Sequence, residues 1–408
     1  MPEHLPYVVM LLGGTTIAAV MAHAICRWLG IPGLVGHILI GVALAVMDGN
    51  GGVMTAKTEV VFEFLGGIGI VALLFRVGLE SNITEMLGQL RRATWVWAGN
   101  VGLSAVLGYG AARYLLGFDL VPSLFAATAL TATSIGISLA LWRDAGVLDS
   151  DPGVLLTDVA ELDDLSGIAC MIMLFAVAPI LAAGNGDIAG PVLQVGGGFL
   201  LKVALFVAFC VVFSRYLEQP ITSFFMRIEP TPDPLLIVLG MTFVIAAIAG
   251  WLGFSLAVGA LFAGLMFSRD AKSVNVDASF GSIYDLFTPF FFINIGLSLD
   301  PAALEYGLWI GVVLLAAGVV GKVAGAALPA RRMMGWNGAL LIGVSMVPRA
   351  EIAMVVMSEG RRLGDWAVPP ELFSGIVVVV IASSVLAPLV VGRMLAANPS
   401  MNGKPPAR

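Results

Sequence analysis

Runs of about twenty apolar residues recur from one end of this chain to the other, and no other feature constrains its fold as much. Leu165 to Ala183 is an example, broken only by Ser166, Gly167 and Pro179. Inside hydrocarbon no water reaches the backbone, so a spanning segment must satisfy its own N–H and C=O groups as a helix or within a closed barrel. Runs of this length, at about 1.5 Å per residue, fit a helix crossing a core about 30 Å thick. The 408 residues are 59% hydrophobic and 12% charged, an apolar content beyond that of a soluble domain. The pattern predicts an all-α polytopic membrane protein with about 13 transmembrane helices, near 7–29, 32–48, 59–79, 93–116, 121–142, 153–184, 191–216, 232–249, 252–268, 281–299, 305–328, 336–358 and 371–395.

Lys and Arg set the orientation. Thirteen of the 21, among them Arg27, Arg91, Arg92, Arg143, Arg331, Arg332 and Arg408, follow odd-numbered spans; four, Lys57, Arg113, Arg361 and Arg362, lie on the opposite side. The bias predicts an outside N-terminus and a cytoplasmic C-terminus. Glu3 precedes the first span and no basic run does, so cleavage of that span as a signal peptide is not expected. Three cysteines, Cys26, Cys170 and Cys210, in apolar surroundings and three scattered histidines give no disulfide framework and no metal-ligand spacing. A net charge of -6 with no basic run gives no sign of nucleic-acid binding. No cofactor is expected, and the chain is not expected to be an enzyme.

Against this apolar background the acids stand out. In Thr157-Asp-Val-Ala-Glu-Leu-Asp-Asp164 a helix would put Asp158, Glu161 and Asp164 on roughly one face, with Asp163 turned about 100° away. Charge at membrane depth is costly and points to function; the plainer alternative is an extramembrane cap on a helix that starts at Leu165. Two spans also carry interruptions, the fifth at Ala129-Leu-Thr-Ala-Thr-Ser-Ile-Gly136 and the twelfth at Gly343-Val-Ser-Met-Val-Pro-Arg-Ala-Glu351. Ser and Thr can replace backbone bonds, and Pro348 removes one. The breaks lie seven spans apart, and an odd shift reverses direction through the bilayer, as inverted-topology repeats require. Ser and Thr bonding back to their own helix is the alternative for either break alone.

Lys322 sits in the apolar run Gly311 to Leu328, too central to reach a headgroup, and a buried ammonium needs a partner; Asp163 is the natural one. Arg349 and Glu351 flank the second break and can pair locally, with other carboxylates, or with half-helix ends. Arg76 and Glu80 have the spacing of an i, i+4 ion pair. Glu161 and Asp158 either line a cytoplasmic funnel or are solvated charges at a helix end.

Ile31-Pro-Gly-Leu-Val-Gly-His-Ile-Leu-Ile-Gly41, Leu74-Phe-Arg-Val-Gly-Leu-Glu80, Ala132-Thr-Ser-Ile-Gly136, Leu162-Asp-Asp164, Gly259-Ala-Leu-Phe-Ala-Gly264, Phe290-Phe-Phe-Ile-Asn-Ile-Gly-Leu297, Gly321-Lys322 and Pro348-Arg-Ala-Glu351 occur in order along nearly the whole chain. Together they resemble the bacterial monovalent cation:proton antiporters, a family that includes electrogenic sodium/proton exchangers and potassium efflux systems. The aspartate pair resembles the electrogenic branch, and no nucleotide-binding domain of the potassium efflux kind is expected after the last span. The chain departs from the family at Glu161, usually apolar, and at Ala350, usually glycine.

The resemblance implies two crossed discontinuous helices and a homodimer in the cell (inner) membrane. It implies a core ion-transport domain from 93–184 and 305–395, a dimerisation domain from 7–80 and 232–299, and a linking helix at 191–216. It further implies that Asp164 binds cation and proton in turn, that Asp163 pairs with Lys322, and that Thr131, Thr133 and nearby backbone complete the site. The expected function is electrogenic exchange of Na+ or Li+ for H+. The alternatives are K+/H+ exchange on the same fold and, further off, a cation channel with the Thr/Ser break as its filter. An intramembrane aspartyl protease is disfavoured because it needs carboxylates on separate helices.

Overall fold

The structure, a computed structural model, describes residues 5–51, 54–80, 83–134, 136–182, 202, 205–206, 208–217, 220–221, 223–224, 234–252, 254–267, 273–300 and 303–397. Residues 191–201 of the expected linking helix, the tail after Ala397, and Arg227, Arg269 and Lys272 lie outside the described residues. The chain is a polytopic all-α membrane protein. In order its helices are α1 (Leu5–Trp28), α2 (Gly33–Gly51), α3 (Ala56–Glu80), α4 (Ile83–Gly110), α5 (Leu120–Thr131), α6 (Gly136–Asp144) and α7 (Asp151–Ala182). There follow α8 (Ala208–Leu217), α9 (Pro234–Trp251), α10 (Leu256–Phe267), α11 (Ser273–Leu297), α12 (Leu304–Ser345), α13 (Glu351–Leu363) and α14 (Pro370–Ala397). Among the described residues, six helices are long and apolar enough to cross a membrane unaided.

Boundaries differ from the sequence expectation for physical reasons, among them the start of α11, at Ser273 where 281 is expected. Hydropathy locates only the apolar part of a helix, so the expected start at residue 93 misses the polar turns of α4, which begins at Ile83. The spans expected at 305–328 and 336–358 meet within α12, whose single non-helical residue is Gly335 (φ 73°, ψ −177°). A side chain is disfavoured at that φ, and glycine supplies the turn without strain. The second of these spans breaks after Ser345 and resumes as α13 at Glu351.

The helices gather into two compact units. One comprises Met1–Ala22, Gly36–Ile83 and Pro179–Ser298. Its centre is α3, packed on α10 and α11. Gly78 and Gly264 let α3 and α10 meet backbone to backbone: a Cβ on Gly264 would stand 2.8 Å from Leu79 N, and one on Gly78 would stand 2.9 Å from Leu265 N. Aromatic rings fill the wider gaps, Phe75 against Phe280 at 5.0 Å and Phe62 against Phe290 at 5.8 Å, both edge to face. The Arg76 guanidinium lies 4.5 Å over the Tyr284 ring.

The other unit comprises His23–Val35, Thr84–Ala178 and Leu299–Arg408. Within it α12 packs along α14, and α13 packs on α5 and α14. Val96, Trp142, Leu156, Val159, Ile342, Met346 and Val391 form part of a buried apolar cluster that draws α4, α6, α7, α12 and α14 together. This unit contains both helix interruptions.

Candidate functional site

Both interruptions arise where the sequence cannot sustain i to i−4 bonding. Helix α5 ends at Thr131, whose hydroxyl donates back to the Thr128 carbonyl at 2.7 Å, and Ala132 turns extended (φ −65°, ψ 145°). Helix α12 ends at Ser345, and Pro348 lacks the N–H that would continue it. Irregular backbone at membrane depth persists only where protein satisfies the freed groups, and here each break serves the other. Ser134 N–H donates to the Pro348 carbonyl at 2.9 Å, and the Thr133 hydroxyl donates to the Met346 carbonyl at 3.3 Å. Ser138 Oγ donates to the Ser345 carbonyl at 2.8 Å, while Trp142 Nε1 donates to Ser345 Oγ at 2.9 Å. On the far side, α14 supplies Ser383 Oγ as acceptor for Arg349 N–H and Ser384 Oγ as donor to the Arg349 carbonyl. The two extended segments therefore cross as one hydrogen-bonded knot.

A cation stands at the C-terminal end of each broken half, where unsatisfied carbonyls carry partial negative charge. At α5 it is Lys322, whose ammonium donates to the Thr131 carbonyl. At α12 it is Arg349, whose guanidinium donates to the Val347 carbonyl at 2.8 Å and the Gly318 carbonyl at 3.4 Å. Local pairing of Arg349 with Glu351, one arrangement the spacing allows, is not what forms. The two-residue spacing spans the non-helical Ala350 (φ −152°, ψ −99°), and the arginine turns back to the Val347 carbonyl at the break.

The same Lys322 ammonium meets Asp163, at 2.9 Å from Oδ2 and 3.2 Å from Oδ1. Both side chains are fully buried. Asn100 on α4 completes the arrangement, its Nδ2 donating to Asp163 Oδ1 at 3.0 Å. Three helices converge here because glycine lets them. A Cβ on Gly321 would stand 2.8 Å from Ser104 Cα, and one on Gly325 would stand 3.0 Å from Asn100 Cα, so the turn that carries Lys322 lies directly on α4.

Asp164, turned away from its neighbour, has a different environment. Its side chain is only partly covered, and among the described residues none hydrogen-bonds or ion-pairs with its carboxyl. Asp163, Glu351, Lys322 and Glu161 lie within electrostatic range of it. One turn further, a Cβ on Gly167 would stand 3.4 Å from Ala132 Cβ and 3.6 Å from Ile352 Cγ2, which sets this stretch of α7 against both breaks. Thr131 and Thr133 are buried at the first break, and Glu351 is half-buried at the start of α13. Asp158 is half-buried and Glu161 exposed, both on α7 before Asp164. Among the described residues no cluster of His, Cys, Asp and Glu is suited to a resident metal.

Sequence reasoning missed Asn100, Ser138, Trp142, Ser345, Ser383 and Ser384. Asn100 had left a signal, an amide inside the apolar run from Trp95 to Leu107. The serines had not, since their partners lie as far as 207 residues away.

Comparisons agree with this architecture. A family model described as "Sodium/hydrogen exchanger, transmembrane" matches residues 15–397. The chain is 29% identical over 363 residues to the high-affinity Na(+)/H(+) antiporter NhaS3 of Synechocystis, covering 87% of this chain and 76% of that one. It is 22% identical over 378 residues to a Na(+)/H(+) antiporter of Enterococcus hirae, covering 92% and 94%. It is 25% identical over 365 residues to the Na(+)/H(+)-K(+) antiporter GerN of Bacillus cereus, covering 88% and 89%. Its fold is similar to that of the sodium proton antiporter MjNhaP1 of Methanocaldococcus jannaschii, with a TM-score of 0.68 at 14% identity over 98% of this chain and 100% of that one.

Proposed function

This chain belongs to the sodium/hydrogen exchanger family, and from that premise we propose that it exchanges Na+, or Li+, for H+ through one shared carboxylate, Asp164. The observation that carries the reading is the contrast between adjacent acids. Asp163 is held by Lys322 and Asn100, whereas Asp164 beside the helix crossing has no described partner and is free to change ligands.

A carboxylate binds a proton covalently or balances a small cation, and it does one at a time. The hydroxyls of Thr131 and Thr133 and the carbonyls freed at the break are hard oxygen donors of the kind a small cation takes, and Thr131 ends a helix whose carbonyl dipoles favour positive charge. Competition for Asp164 is then sufficient for antiport, provided the site opens to one side at a time. Lys322 and Asp163 supply a neighbouring ion pair that an incoming cation weakens, so that charge on the lysine enters the transport cycle and exchange is electrogenic. Arg349 holds the second break, and Glu351, Glu161 and Asp158 draw cations toward the site.

In this reading the unit that contains the crossing is the moving core, and the unit built on α3, α10 and α11 joins two copies into a homodimer in the cell membrane. The C-terminus faces the cytoplasm, in keeping with the Lys and Arg bias. K+ is a second cation to test, since GerN carries K+ in its name. Proteoliposomes with an imposed pH gradient are challenged with Na+, Li+, K+ or choline. Na+ and Li+ are expected to discharge the gradient and choline to leave it intact; Na+ flux without proton counter-flow would instead make the protein a channel.

A further inference from the structure

We propose that Asn100 is a positioning residue for exchange: its amide keeps the Asp163 carboxylate in place while Lys322 disengages, and so sets the apparent affinity for the transported cation. The inference rests on the reading of Asp164 and its neighbouring ion pair as the transport site.

Three observations carry it. The first is geometric: Asn100 Nδ2 donates to Asp163 Oδ1, the oxygen on which Lys322 has its longer bond, 3.2 Å, while the lysine's shorter bond, 2.9 Å, goes to Oδ2. When the ammonium leaves, Oδ1 retains a donor, and among the described residues no other side chain donates to this carboxylate. The second is energetic. Asn100 is fully buried, yet among the described residues its Oδ1 has no partner, and one turn on Ser104 Oγ is also buried without one. A buried acceptor left unmade is destabilising, and an apolar side chain of similar size would avoid it. The chain thus carries an amide whose single side-chain bond among the described residues is to Asp163. The third is placement: Gly321 and Gly325 flank Lys322 and bring α12 onto α4 at Ser104 and Asn100, so the donor and the lysine approach one carboxylate from adjoining helices.

With Lys322 engaged, Asp163 has two donors and loss of one is partly covered. With Lys322 released to admit the cation, Asn100 is, among the described residues, the remaining side-chain donor to a buried anion, and its loss falls mainly on that state. Hydrogen bonds to charged groups are the stronger ones, so removing the donor is expected to raise the apparent KM for Na+ roughly tenfold.

The test measures Na+-driven proton exchange in proteoliposomes for wild type, Asn100→Leu and Asn100→Ser, with unfolding midpoints of each in detergent. Leucine removes the donor and the unpartnered acceptor at similar volume; serine keeps a shorter donor. The positioning role predicts a tenfold rise in KM for Asn100→Leu at an unchanged maximal rate, and a smaller rise for Asn100→Ser. In a Lys322→Gln background, where no lysine leaves, the Asn100→Leu effect on KM should disappear. A merely structural contact predicts lower stability and lower maximal rate at unchanged KM, and a KM within twofold of wild type in both variants overturns the inference. Should the leucine variant fail to fold, Asn100→Ala carries the same comparison. Asp164→Asn is run alongside. If it is inactive while the Asn100 variants keep wild-type KM, this inference alone falls; if it exchanges normally, the underlying site reading falls.

Discussion

Replacing Lys322 by methionine keeps most of the side chain's volume and removes its charge. In the structure that deletes the bonds to Asp163 Oδ1, Asp163 Oδ2 and the Thr131 carbonyl, and it leaves a fully buried carboxylate with Asn100 as its described side-chain donor. Removing one partner of a buried ion pair costs about 3–5 kcal/mol, because the remaining charge stays desolvated and uncompensated. Asp163→Asn leaves the ammonium in the same position and should cost a similar amount. The double variant buries no charge at this pair, and neutral replacement of a buried pair is often close to neutral in stability. The cycle should therefore show a coupling larger than the smaller of the two single losses, above about 3 kcal/mol, and well beyond the scatter of about 0.5 kcal/mol seen for independent sites. Denaturant midpoints of the four proteins in one detergent measure it. Additive losses, or a double variant as unstable as the worse single one, would refute the argument that the pair stabilises the crossing as a unit.

Gly325→Ala should destabilise by about 1–3 kcal/mol and weaken cation affinity. Its Cβ would stand 2.9 Å from the Gly99 carbonyl carbon and 3.0 Å from Asn100 Cα, so α4 and α12 must part by at least about 0.6 Å; a midpoint and affinity equal to wild type would show that the contact is looser than these distances imply. Glu161→Gln should weaken apparent Na+ affinity most at low ionic strength if this exposed acid on α7 attracts cations, because salt screens such charges; equal affinity at every ionic strength would leave it a solvated charge. Lys322→Gln, if active, should lose much of the dependence of exchange on membrane potential, which acts at about 2.3 kcal/mol per charge per 100 mV; initial rates at zero and inside-negative potential with the same ratio as wild type would remove the lysine as a charge carrier.

The helical, polytopic character was legible in the sequence because one demand, closed backbone bonding in hydrocarbon, leaves few solutions for long apolar runs. Both breaks were legible too, since Pro348 and the Thr131 to Ser134 cluster act on the backbone next to them. The contact of Lys322 with Asp163 followed from scarcity: few charges lie deep in this chain, and they need one another. Other features depend on neighbours distant in sequence. Arg349 was identified as a buried charge, but its targets, the Val347 carbonyl in its own break and the Gly318 carbonyl far back along α12, depend on the backbone turn at Ala350. Among the 49 glycines, nothing local marks Gly321 and Gly325 as the pair on which α4 lies. Asn100 was visible as an anomaly, but its role required knowing which helix it faces.

Exchange by purified Asp164→Asn in proteoliposomes tests the central claim most directly. The amide has nearly the shape of the carboxyl, but it neither takes up a proton nor balances a bound cation. The account predicts a protein with the unfolding midpoint of wild type that moves no protons when Na+ or Li+ is added against an imposed pH gradient. Na+-dependent proton movement at the wild-type rate would contradict it and assign the shared site to another residue.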